Sequence, residues 1–161
     1  MKQKSNQRLE LDSFDLAILR VVQADNKTPQ RKIAEEVNLS AAAVQRRIAT
    51  MEAAGVIAGN AAVVDPDTIG LTITAIVEVY LRDERAATVD AAKALFRAAP
   101  EVQQCYYVTG GTSFILIIVA ADMRVYEGLT RSLFATNDLV ASYRTLIALD
   151  RVKVGTSIPI E

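Results

Sequence analysis

The residues with chemistry to offer are few, and the most telling pair is cationic. Arg46 and Arg47 lie within Ile33 to Ile57, IAEEVNLSAAAVQRRIATMEAAGVI. Guanidinium groups carried on a helix can grip phosphate oxygens, or hold guanine O6 and N7 in a two-pronged contact. Histidine is absent and Cys105 is the single cysteine. Those counts exclude Ser–His–Asp and Cys–His nucleophilic sites, HExxH metal sites, thiolate zinc clusters, disulfide frameworks and histidine pH switches. No metal and no tightly held cofactor is expected. Cys105 sits in a strand-like setting beside Tyr106, Tyr107 and Val108, and reads as a small buried hydrophobe in preference to a reactive thiol. The remaining candidate is Thr109-Gly110-Gly111-Thr112-Ser113. Backbone N–H groups in such a turn can hold a carboxylate, and a plain tight hairpin explains the glycines equally well.

The arginines need an element to aim them. Ile33 to Val37 reads as a short helix, Asn38-Leu39 as a tight turn, and the residues after Ser40 as a second helix closing at Gly55. Ser40 is a good N-cap, and Gly55 supplies a left-handed C-cap. Val44, Ile48 and Met51 recur at helical spacing and define the core-facing stripe. The opposite side carries Ala42, Ala43, Arg46, Ala49 and Thr50, flanked by Gln45 and Arg47. Small residues with two arginines suit close approach to a DNA groove. Val56 and Ile57 then begin an extended segment, which completes the layout of a winged helix-turn-helix.

The 161 residues fit one domain or two small ones. Apolar residues make up 51%, enough to bury a core. The net charge of −1 means that a nucleic-acid face must be local. Residues 1–60 carry nine Lys/Arg against seven Asp/Glu, while the remainder carries nine against twelve. The start, MKQKSNQRLELD, has no apolar core of a secretory signal, and the run Phe114 to Ala121 is too short to cross a bilayer. A cytoplasmic protein with no membrane partner is expected.

In chain order, residues 1–8 are polar and should be loose. A first helix should begin near Asp12, with Asp15 as partner in a capping-box arrangement and Phe14, Ile18, Leu19 and Val22 on its apolar side, and it should end at Asp25-Asn26. Thr28 can cap the next helix, with Pro29 at its first position. Leu11, Leu19, Ile33, Val37, Leu39, Val44 and Ile48 should form the core between three helices. Val56 to Val64 should fold into a wing hairpin around Gly59-Asn60, and Asp65-Pro66-Asp67 marks a boundary, giving domains of 1–64 and 65–161.

Past that boundary the period changes. Leu71 to Leu81 alternates as a strand, and Arg85 to Ala99 returns to helical spacing through Val89, Ala92, Leu95 and Phe96. Val102 to Thr109 and Ser113 to Ala120 read as strands joined by the glycine turn. Asp122 can cap a helix with Met123, Tyr126, Leu129 and Leu133 inside. Val140 to Leu149 is a last strand, and Val152 to Ile158 could add an edge strand. The order β-α-β-β-α-β is the ferredoxin-like arrangement, so the fold class is α+β. Phe114 to Val119 is apolar at every position, and Ile76 and Tyr80 extend apolar surface onto the face that two helices cannot reach. The matching sheet of a second copy would cover it in a two-fold homodimer; the chain's own C-terminal segment is the alternative cover.

LDSFDLAIL (Leu11–Leu19), KIAEEVNLSAAAVQRRIATMEAAGVI (Lys32–Ile57), EVQQCYYVTGG (Glu101–Gly111), DMRVYEGL (Asp122–Leu129) and RVKVGTSIPI (Arg151–Ile160) together resemble the Lrp/AsnC family, the leucine-responsive and asparagine-type "feast/famine" regulators. The resemblance spans nearly the whole chain. It implies a transcription factor, not an enzyme, that binds double-stranded DNA, dimerises through its C-terminal αβ domain and often builds tetramers or octamers. It also implies an amino-acid effector bound between subunits, of an identity that these residues do not specify. By position it makes Ala41 to Ala54 the recognition helix, with Ser40, Ala42, Ala43, Gln45, Arg46 and Arg47 facing DNA. Arg46 is then the first choice for a base edge, and Arg31, Lys32 and Arg47 are placed for phosphates. The effector site falls on Thr109, Gly110, Gly111, Thr112 and Ser113. Here the chain departs from its relatives, many of which carry an acidic residue at the Ser113 position and often another at Gly111. A different ligand therefore fits as well, and so does an effector-independent, architectural DNA-binding regulator of the same fold. Two rivals are a stand-alone small-molecule module, which would lack residues 1–60, and an enzyme on a ferredoxin-like scaffold, for which only carboxylate chemistry stays open.

Overall fold

The structure is a computed structural model that describes residues 9–161; the expectation for residues 1–8 lies outside them. The chain divides into two compact units. One holds the described residues up to Val63 together with Val154–Glu161, and the other is Val64–Lys153. Among the described residues no helix is long and apolar enough to cross a membrane.

The first unit is a three-helix head made of α1 (Ser13–Ala24), α2 (Gln30–Val37) and α3 (Ala41–Ala53). Asp12 and Asp15 form the expected box at the start of α1. The Asp15 N–H donates to Asp12 at 2.9 Å and the Asp12 N–H donates to Asp15 at 3.1 Å, which satisfies two otherwise orphaned donors. α1 closes at Asp25. Pro29 occupies the N-cap of α2, one position before the expected place, and Thr28 makes no capping bond. Asn38 turns the chain between α2 and α3 with φ +55°, a left-handed conformation that asparagine tolerates. Ser40 caps α3 by accepting from the Ala43 N–H at 3.2 Å. At the other end, Gly55 (φ +74°) lets the Val56 N–H reach Met51 O and its own N–H reach Glu52 O, a Schellman closure. Ile18, Ile33, Ala34, Val37, Val44 and Met51 fill the core, with Leu11, Leu19, Leu39 and Ile48 partly buried around it.

Two expectations about extended segments fail. Residues 58–65 form no hairpin and carry no regular structure. Such a wing would have only a few residues per strand, many of them alanine, and no third strand to lean on. Val152 to Ile158 is not an edge strand either. The segment from Val154 onward lies on α1, where Gln23 donates to the Ile158 carbonyl at 2.7 Å and accepts from the Ile158 N–H at 3.1 Å. Arg20 Nε adds a bond to the Ile160 carbonyl at 3.0 Å. Side chains thus satisfy main-chain groups that a sheet edge was expected to take.

The second unit is a four-stranded antiparallel sheet in the order β2-β3-β1-β4, built from β1 (Ile73–Leu81), β2 (Val102–Tyr107), β3 (Phe114–Ala120) and β4 (Val140–Ile147). α4 (Ala86–Ala98) and α5 (Met123–Thr130) complete the β-α-β-β-α-β order. Ala75, Val77 and Val79 of β1 and Phe114, Leu116, Ile118 and Ala120 of β3 are buried with Val89, Ala92, Phe96 and Tyr126 of the helices. The centre is aromatic, with Phe96 packed edge-on to Phe114 at 5.3 Å and tilted to Phe134 at 6.1 Å. α5 ends in a π-helical turn, Arg131–Ala135, which buries Leu133 and Phe134. Met123, expected inside, is exposed in the first turn of α5. The alternate residues of the sheet, among them Ile76, Tyr80, Ile115, Ile117 and Val119, are only partly buried. That other face carries an ion pair, Arg144 to Glu78, on directly opposed residues of β4 and β1.

Candidate nucleic-acid interface and effector turn

On α3 the sequence places Ala42, Ala43, Gln45 and Arg46 opposite the buried Val44 and Met51, and the structure leaves Ala42, Gln45 and Arg46 exposed with Ala43 partly covered. Arg46 makes no ion pair among the described residues, whose nearest guanidinium contacts belong to its neighbour. Arg31 and Lys32 are exposed on α2, where Arg31 pairs with Glu35 one turn on, at 3.3 Å. At 89% side-chain exposure that pair holds Arg31 only weakly. Ser40 is occupied as the α3 cap and remains exposed.

Arg47 differs from the expectation that grouped it with phosphate contacts. Its Nη1 donates to Asp12 Oδ2 at 2.9 Å and to Asp15 Oδ1 at 2.7 Å, and its guanidinium lies 5.6 Å over the Phe14 ring. α3 is thereby tied to the capping box of α1. The bond from the Asp15 N–H, reinforced by Arg47, holds the Asp12 carboxyl below the usual carboxylate range. The same two carboxylates raise Arg47 above its ordinary value, Asp15 contributing most. One arginine of the pair therefore builds the head and the other is presented by it.

The second site is the turn after β2. Gly110 and Gly111 adopt φ +106° and +98°, where side chains are strained, and nothing lies within 4 Å of either Cβ direction. Among the described residues the N–H groups of Thr109 to Thr112 meet no protein acceptor; the ladder closes just outside them with Val108 N–H to Ser113 O at 3.0 Å. Ser113 is buried and finishes the β1–β3 ladder. Its N–H donates to Val79 O and its Oγ accepts from the Leu81 N–H, both at 3.0 Å.

The Ser113 hydroxyl in turn donates to Glu84 Oε1 at 2.5 Å, and Tyr107 donates to Glu84 Oε2 at 2.9 Å. That bond to a carboxylate raises the Tyr107 hydroxyl above its ordinary value. Asp83 fixes the loop that presents Glu84, accepting from the Arg85 N–H at 3.0 Å and the Thr88 hydroxyl at 2.7 Å. A carboxylate thus stands at the turn after all. It comes from a loop 29 residues earlier in the chain, and no local spacing in the sequence marks it.

Cys105 is not the buried hydrophobe expected. It is exposed on β2, an edge strand that α4 does not fully cover. Residual burial raises its thiol above the ordinary value, opposed by nearby Arg97. Among the described residues no group of His, Cys, Asp and Glu could hold a metal ion.

Comparison with known proteins gives two separate family matches along the chain. Residues 11–58 match the family model described as winged helix-turn-helix DNA-binding, and residues 74–158 match that of the Lrp/AsnC ligand binding domain. The chain is 41% identical, over 95% of its length and 90% of the relative's, to an uncharacterized HTH-type transcriptional regulator of Sinorhizobium fredii. It is 29% identical, over 95% of its length and 98% of the relative's, to the leucine-responsive regulatory protein of Rhizobium meliloti. In three dimensions it is similar to a transcriptional regulator from Neisseria meningitidis solved as a complex with L-Met. The TM-score is 0.86 at 28% identity, covering 93% of this chain and 97% of that one.

Proposed function

The chain belongs to the Lrp/AsnC family of DNA-binding transcriptional regulators, and from that premise we propose that it reads duplex DNA through α3 as a two-fold dimer and responds to an α-amino acid or a related small metabolite. The reading of DNA rests on one observation: Arg46 stands exposed on α3 beside Gln45 and Ala42, while Arg47 anchors the helix from behind. Arg46 is the base-edge contact in this reading, and Arg31, Lys32 and Ser40 are the backbone contacts that set register. The half-covered sheet face with Ile76, Tyr80, Ile115, Ile117 and Val119 is the surface that a second copy covers.

Support for an amino-acid effector comes from charge placement. Free N–H groups in Thr109–Thr112 offer a seat for a carboxylate, and Glu84 offers a counter-charge for an ammonium. The relative from Neisseria was solved with L-Met, which accords with that chemistry. A thermal-shift screen of the twenty amino acids tests the effector, because a ligand that binds only the folded form raises the melting temperature by mass action. The expected result is a shift with at least one amino acid that Glu84→Gln abolishes. No shift with any of them would leave the effector-independent regulator as the reading.

A further inference from the structure

A cavity of about 330 Å3 lies at the edge of the second unit, between α4 and β2. Cys105 and Tyr107 form one wall. They pair in register with the buried Leu116 and Phe114, so they point to the helix-covered side of the sheet. α4 stops short of this edge strand, so Cys105 and Tyr107 stay exposed with Val102 half-buried beside them, above the fully buried Phe96 and Phe114. Lys93 and Arg97 of α4 stand at the rim.

The charges at that rim are arranged against the interest of the fold. Lys93 and Arg97 are four residues apart on one helix face, a spacing at which like charges repel. Lys93 reaches only Asp90, at 3.8 Å, and among the described residues Arg97 has no carboxylate partner. The Lys93 ammonium is held 4.9 Å over the Tyr107 ring, facing the cavity, and that ring packs 5.1 Å from Phe114. Two cations beside the exposed Tyr107 ring match a ligand with one anionic end and one apolar end. The volume sits at the small end of ligand pockets, about 300–1,000 Å3.

We propose that this cavity binds a small monocarboxylate with a branched aliphatic or phenyl body, its carboxylate between Lys93 and Arg97 and its hydrocarbon on Tyr107, Cys105 and Val102. The site is separate from the glycine turn, and Tyr107 belongs to both, since its ring lines the cavity while its hydroxyl holds Glu84. Occupancy of the cavity therefore bears on the carboxylate at the turn.

Cys105, the single cysteine of the chain and a wall of the cavity, is a built-in reporter. Its alkylation by uncharged N-ethylmaleimide is followed on the full chain by intact-mass spectrometry, with 3-phenylpropionate and 4-methylpentanoate as probes. At ten times its dissociation constant a bound probe should slow the reaction about tenfold. Neutral 3-phenylpropionamide and bodiless acetate should leave it unchanged. Protection should vanish in a Lys93→Gln/Arg97→Gln variant, whose fold is checked by circular dichroism and whose changes lie on a helix surface, and should persist in Glu84→Gln. The proposal is overturned if neither carboxylate protects, if the amide protects equally, or if the double variant is still protected.

Discussion

Arg47 Nη1 lies 2.7 Å from Asp15 Oδ1, the shorter of the two ion-pair contacts that Arg47 of α3 makes with the capping box of α1. Among the described residues of the head Asp15 is the one buried charged side chain, at 8% exposure. A buried carboxylate keeps its charge at low cost only when donors surround it, and Arg47 is the donor that crosses from another helix.

Arg47→Ala should therefore loosen the head while Arg46→Ala leaves it intact. Losing a partly exposed, charge-assisted pair costs about 1–3 kcal/mol, against about 0.5 kcal/mol or less for an exposed arginine. Hydrogen exchange of the α1 and α3 amides should rise in the first variant alone. Equal exchange in both would show that the ion pair carries no stability.

DNA binding should respond in the opposite order of directness. Arg46→Ala is expected to weaken specific binding by about 1–3 kcal/mol, roughly five- to 150-fold, with no change in head stability. Lys32→Ala should weaken binding to specific and random duplexes alike and lower the salt slope by about one. Fluorescence anisotropy across a salt series separates the two.

Acid should unfold the protein through identified carboxylates. Asp12 and Glu78 are both held below their ordinary values near 3.8 and 4.5, Asp12 chiefly by the Asp15 N–H and Glu78 chiefly by Arg144. A group with a depressed folded value contributes stability above its unfolded value and loses it as pH falls through the folded one. The urea midpoint should thus be level at neutral pH and fall below the ordinary carboxylate range. Asp12→Asn, which keeps a capping oxygen, should flatten that acid limb for the α1 amides and leave the sheet's limb in place.

Phe96→Ala should be the most damaging single truncation in the second unit. Phe96 is fully buried and touches both Phe114 and Phe134, so its removal opens a cavity worth about 3–5 kcal/mol. The head's helices should keep their exchange protection. Loss of protection in the head as well would mean that the units unfold as one.

Local chemistry made most of the architecture legible in the sequence. The Asp12–Asp15 box, the Ser40 cap and the Gly55 closure each depend on residues a few positions apart, and each formed where it was read. Period-two alternation likewise located β1 and an unbroken apolar run located β3, and in both strands every second residue is in the core. The features that were not legible share a different cause. Arg47, Glu84 and the segment after Val154 are each settled by partners far along the chain: Arg47 by Asp12 and Asp15, Glu84 by Ser113 and Tyr107, and the segment by Gln23 and Arg20. Cys105 was misjudged because strand-like neighbours say nothing about whether a strand lies at the sheet's edge. The wing failed for want of a supporting strand, which no dipeptide such as Gly59-Asn60 can supply.

Gln23 clasps the main chain at Ile158 by both its amide oxygen and its amide nitrogen. The polypeptide thus departs from its reading module at Val63 and rejoins it at Val154, which moors that module twice. Trimming the carboxyl end would edit the amino-terminal machinery: α1 would surrender its clasp while the strands, whose ladders finish by Ala148, would keep theirs.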